Sequence, residues 1–157
     1  MTILTTIPDP TGYVPIDYET DPVEKVCYLS KFAVDTDGIG PHHGDPCAQS
    51  ETSLKNHGKS LNADVDCYGV VPPVIIQKTK GIVLGCYGMA TNQKTGAQCA
   101  FVVGDIGPHS KIGEGSCALA SGLGLNPSPT IGGTDEHIIL WEIYPGQPAD
   151  GYQLQPA

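Results

Sequence analysis

Apolar residues in this 157-residue chain come in short runs broken by glycine, proline and polar loops, not at the spacing of amphipathic helices. "VCYLSKFAV" predicts a strand over Val26–Val34. The stretch 35–64, with Gly, Pro, His and Asp, predicts long loops and one short extended piece near Glu51–Leu54. "YGVVPPVII" (68–76) predicts a strand interrupted by Pro72 and Pro73, suited to an edge or bend. "GIVLGCYGMAT" (81–91) and "AQCAFVVGD" (97–105) predict a hairpin around "NQKTG". "SCALASGLGL" (116–125) predicts a short helix of small residues, ended by Gly122 or Gly124 and then Pro127. "HIILWEIYPG" (137–146) predicts a buried last strand. Residues 1–22, Pro- and Thr-rich and without periodicity, read as an N-terminal arm or linker before a single domain over 23–157.

The expected fold class is mainly β: a small barrel with one or two short helices and long loops. Strand, looped crossover, short helix and returning strand, over 101–144, is the order seen in double-psi β-barrels. Composition agrees, since 20 glycines and 14 prolines are too many for a helical bundle. No apolar stretch approaches the roughly 18 residues of a membrane span, so membrane insertion is not expected. Net charge is −9, which repels nucleic acid and anionic lipid and favours a cationic partner or polymer. Six cysteines, at 27, 47, 67, 86, 99 and 117, predict disulfides and an oxidising destination, with Cys86–Cys99 across the hairpin as the first expected pair. The start shows no basic and apolar leader, so an extracellular or periplasmic location implies a removed signal or another export route. A monomer is expected.

Several motifs fail on context. Gly113 to Ala118 fits G-x-G-x-x-A but follows a loop in a chain without a Rossmann pattern. No G-x-S-x-G elbow occurs. "DTDGIGPHHGDP" lacks the closing Glu of a calcium loop. His42, His43 and Asp45 could ligate a metal but read more simply as loop residues, so no metal and no cofactor is expected.

"GDIGPHSKIGEGSCALASGLG" (104–124) carries the chemistry. Asp105 ends a strand and Glu114 lies nine positions on, across a glycine-proline loop that can set both on opposite sides of a groove. The plainer account is that Asp105 caps the turn and Glu114 the helix at Ser116. Here the sequence resembles the family 75 glycoside hydrolases, chitosanases and their bacterial and phage-borne relatives. The resemblance runs from Phe32 to Gly146 through "FAVDTDG", "SETSL", "LNADVDCYGVVPP", the 101–125 segment, "GG" (132–133) and "EIYPG". It implies that Asp105 and Glu114 are the catalytic carboxylates and that the reaction inverts. The chain departs from the family in a sparser acidic stretch and in its cysteines.

Glycoside cleavage needs one carboxyl protonated and one ionised. Asp105, against Val102 and Val103, is expected to be desolvated and raised in pKa, and Glu114, among backbone N–H groups, to stay ionised. Which is the acid stays open. Asp35 and Asp37 are expected to bind substrate by pairing with sugar ammonium groups, or else to form a solvated turn. Trp141 reads as core packing, with sugar stacking as the alternative. The expected activity is endo-hydrolysis of β-1,4-linked amino-sugar polymers, chitosan first. A peptidoglycan muramidase or lytic transglycosylase, and a non-catalytic glycan-binding or structural barrel, are the alternatives.

Overall fold

The structure, a computed structural model, describes residues 2–9, 12–19 and 24–156. Among the described residues, ten strands and two short helices follow one another. The strands are β1 (Thr2–Asp9), β2 (Gly12–Glu19), β3 (Lys25–Asp35), β4 (Lys55–Asn56), β5 (Lys59–Ser60), β6 (Tyr68–Val71), β7 (Cys86–Asn92), β8 (Gln98–Ile106), β9 (Glu114–Ser116) and β10 (Thr134–Pro148). The helices are α1 (Pro73–Lys78) and α2 (Cys117–Gly122). Six strands close a barrel in the order β3, β10, β7, β8, β6, β9, with β9 returning to β3. The pairs β3–β9 and β6–β8 are parallel and the rest antiparallel, so the small, mainly β barrel read from the sequence is present.

The predicted strands 26–34 and 137–146 are β3 and β10, and the predicted hairpin is β7–β8, with Thr91 opposite Gln98. Residues 68–76 differ from expectation. The strand stops at Val71, Pro72 precedes the helix, and Pro73 opens α1, where its missing N–H leaves no intrahelical bond unmade. The β6 strand lies between β8 and β9, not at an edge. The extended piece expected near 51–54 falls a few residues later, as the β4–β5 hairpin.

Within the N-terminal segment expected as an arm, residues 2–9 and 12–19 form strands, and the rest of it lies outside the described residues. The antiparallel hairpin β1–β2 extends the sheet through pairing of β2 with β3, Asp17 opposite Cys27. Ile7, Val14 and Ile16 are buried, which fixes the hairpin to the domain, and Asp9 meets His137 of β10 at 3.1 Å.

Trp141 is 1% exposed and stacks on Phe32 and Tyr28 at 5.4 and 5.9 Å, with Phe101 edge-on at 5.6 Å. It is core, as expected, and unavailable for stacking on a sugar. Ser116 caps α2, its Oγ accepting from Leu119 N at 3.2 Å. None of the six cysteines forms a disulfide. The expected Cys86–Cys99 bridge fails on register: Cys99 faces Ala90 across β7–β8, whereas Cys86 faces Pro148 of β10. The Sγ atom nearest Cys99 is that of Cys67, at 3.8 Å. No helix among the described residues is long and apolar enough to cross a membrane.

Candidate active site

Strand register assembles the carboxylates. Val70 of β6 pairs with Asp105 of β8 on one side and with Glu114 of β9 on the other, and Glu114 in turn faces Ala33 of β3. Paired residues in neighbouring strands point to the same face. Asp35, two residues after Ala33, shares that face. Asp105 and Glu114 therefore sit two strand spacings apart, about 10 Å between backbones. Asp35, Val70, Asp105 and Glu114 line one open groove of about 590 Å³.

Two glycines make this possible. The β6–β8 register slips between Gly69–Val103 and Val70–Asp105, leaving Gly104 as the extra residue of a bulge that aims Asp105 into the groove. A methyl on Gly104 would lie 2.7 Å from both Leu61 Cδ1 and Tyr68 Cβ. A methyl on Gly107 would lie 3.1 Å from the Glu114 carboxylate, so Gly107 leaves that side chain its place.

Hydrogen bonds then separate the carboxyl groups chemically. Asp105 Oδ1 accepts from Ser53 N (3.0 Å), Ser53 Oγ (2.8 Å) and Ile106 N (3.0 Å). Asp37 hydrogen-bonds to Asp105, and burial, followed by that contact, pushes the Asp37 carboxyl up to about 8. With three donors already on Asp105, Asp37 carries the shared proton and Asp105 accepts it. Burial pushes Asp35 up to about 6, against the opposing hydrogen bond from Tyr68 Oη at 2.8 Å. Tyr68 Oη also lies 2.8 Å from Asp37 O, and Gln49 N donates to Asp37 Oδ1 at 2.7 Å. Glu114 is raised chiefly by burial and then by the Asp35 charge, with Lys111 and Lys31 opposing.

Two expectations change here. The backbone donors expected around Glu114 are found on Asp105, and burial raises the Glu114 carboxyl that was expected to stay ionised. Asp37 lines the groove but holds a proton below about pH 8, and a neutral carboxyl is a hydrogen-bond donor, not an ammonium partner. Asp35, Asp37 and Asp105 offer oxygens within 4.8 Å of one another, a spacing that could hold a cation as well as a proton. The trio His42, His43 and Asp45 is not assembled: His42 meets Gly38 O, His43 meets Asp64, and Asp45 accepts from Thr36.

Ser53 and Tyr68, which orient the carboxyl groups, are not distinguished by their own chemistry in the sequence. The signal that could have found them is their place in "SETSL" and "DCYGVV", two segments of the family resemblance. The chain matches no protein-family model and no curated protein at a significant level.

Proposed function

We propose that this protein is a glycoside hydrolase of the family 75 type, cleaving β-1,4-linked amino-sugar polymers in the groove between Asp105 and Glu114. The observation that carries the reading is the Asp105–Val70–Glu114 row: two carboxyl groups of unlike environment facing one open groove from strands two spacings apart. In the proposed reaction the desolvated Glu114 protonates the leaving glycosidic oxygen. Asp105, with Asp37 bonded to it, orients and deprotonates a water on the other face of the sugar. Inversion needs carboxyl groups roughly 6.5–9.5 Å apart, against about 5 Å for a covalent intermediate, and the two-strand offset suits the wider separation.

The groove also favours a cationic chain over peptidoglycan. Besides the raised Asp37 and Glu114, the acidic residues Asp35, Glu51 and Asp105 line it against Lys55 and Lys111. Incubation with chitosan and peptidoglycan side by side, followed by mass spectrometry of the products, tests the proposal. Chitosan oligosaccharides with new reducing ends are the expected result. Peptidoglycan fragments alone, or binding without turnover, would replace it with a muramidase or a glycan-binding barrel.

A further inference from the structure

A second group of unlike donors lies outside the groove, in a hollow of about 370 Å³ formed by His43, Asp64, Cys117, Asn126, Pro127 and Ser128. Three loop or helix-end positions, far apart in sequence, converge there. His43 Nε2 is 2.8 and 3.0 Å from the two Asp64 oxygens. Cys117, the first residue of α2, sets its thiol beside the same carboxylate. One ligand atom from each of the three lies within 4.8 Å of the other two. The backbone holds this arrangement. Ala118 N donates to Ala63 O at 2.9 Å, which sets Cys117 beside Asp64, and Asp64 N donates to Asn62 Oδ1 at 2.9 Å. His43 sits at φ 50°, uncommon for a residue other than glycine, in the loop that carries its ring to Asp64.

We propose that His43, Asp64 and Cys117 bind one divalent metal ion of the zinc class. Imidazole nitrogen, carboxylate oxygen and thiolate sulfur are the three ligand types that zinc accepts together, whereas magnesium and calcium call for oxygen alone. Without metal, an imidazole N–H and a thiol both point at Asp64, and a cation at their centre takes the place of those protons. On binding, the thiol proton passes to solvent and the imidazole proton leaves Nε2 for Nδ1 or solvent, which frees both ligand atoms. Three protein ligands in an open hollow leave a fourth position to water or an outside ligand. A Cys-His-Asp nucleophile is a poorer fit, because His43 Nε2 is bonded to Asp64 and not to the thiol. Burial and then the Asp64 charge also push that thiol up to about 11, the reverse of activation.

The test uses the full chain, stripped by a chelator and titrated with Co²⁺ and then Zn²⁺. The expected result is one equivalent of Co²⁺, with a thiolate-to-cobalt charge-transfer band and tetrahedral visible bands that Zn²⁺ displaces. Cys117→Ser should abolish the charge-transfer band, and His43→Ala should weaken Zn²⁺ binding by about tenfold or more. A Cys67→Ser/Cys99→Ser variant should keep both the band and the stoichiometry. His43 has a side chain 45% exposed, so its variant stays folded and informative even if Cys117→Ser does not. The proposal is overturned by no saturable cobalt band, by a band that survives Cys117→Ser, or by unchanged Zn²⁺ affinity in His43→Ala. None of these readouts involves glycan cleavage, so the outcome stands apart from that of the groove.

Discussion

The two clusters differ in what holds them. Asp105, Glu114 and Asp35 stand on strands β8, β9 and β3, and the ladder hydrogen bonds that close the barrel also fix their separations. His43, Asp64 and Cys117 stand on two loops and a helix end, held by a few local bonds and by each other. A strand-borne site can keep reacting groups at a set distance with no ligand present, as cleavage of a bond between two carboxyl groups requires. A loop-borne set of donors leaves room for adjustment around whatever it takes up. The contrast predicts that the groove is sensitive to small backbone changes in the barrel as well as to loss of its carboxylates.

The largest effect is expected from removing the carboxylates. Asp105→Asn and Glu114→Gln should each lower chitosan turnover by about 10²–10⁴-fold, with circular dichroism unchanged. If either variant keeps near wild-type turnover, that residue leaves the mechanism. Next is the bulge. In Gly104→Ala the added methyl meets Leu61 and Tyr68 at 2.7 Å, which should cost about 1–3 kcal/mol in denaturant unfolding. It should also displace Asp105 enough to lower kcat roughly ten- to hundredfold. A stable variant of full activity would show that the bulge does not set the geometry.

How much of this is legible in the sequence depends on the same contrast. Asp105 and Glu114 are legible because a strand end, a glycine-proline turn and a small-residue helix keep their order in the chain. The β9 strand is not, because "EGS" has no hydrophobic pattern and is defined only by its neighbours β3 and β6. The β1–β2 hairpin is masked by Pro8 and Pro15, although Val14 and Ile16 alternate inward as a strand should. The Cys86–Cys99 expectation counted residues around a turn without the register, which sets Cys99 opposite Ala90. The hydrogen-bond donors on Asp105 are not legible because two of them come from Ser53, 52 positions away in the chain. The His43–Asp64–Cys117 cluster has no local spacing to read, since its members lie 21 and 53 residues apart.

Tyr68→Phe tests the support behind the row. It removes the hydroxyl that serves Asp35 Oδ2 and Asp37 O, leaving two part-buried acceptors short of a donor, at a cost of about 1–3 kcal/mol. The Tyr68 hydrogen bond opposes the rise of the Asp35 carboxyl, so its loss should move the acid limb of kcat/KM to higher pH. An unmoved limb would show that the Asp35 carboxyl does not govern the pH dependence of the reaction.

The smallest and most specific effect belongs to Asp37→Asn. The folded state raises this carboxyl from 3.8 to about 8, so the native protein binds the proton more tightly than the unfolded chain does. The resulting stabilisation is full below about pH 4 and is lost as pH rises to about 8. Asparagine keeps an oxygen for Gln49 N and an N–H for Asp105 but has nothing to ionise. Melting temperatures of the two proteins should therefore lie close together near pH 4. The wild type should fall further below the variant as pH approaches 8, while the slope contributed by Asp35 remains in both. Chitosan KM should stay close to that of the wild type and kcat should fall much less than in Asp105→Asn, because an amide can still hold Asp105 in place. Parallel melting curves across that range would show that Asp37 does not hold the shared proton. A collapse of kcat at constant KM would place Asp37 itself among the reacting groups and demote Glu114.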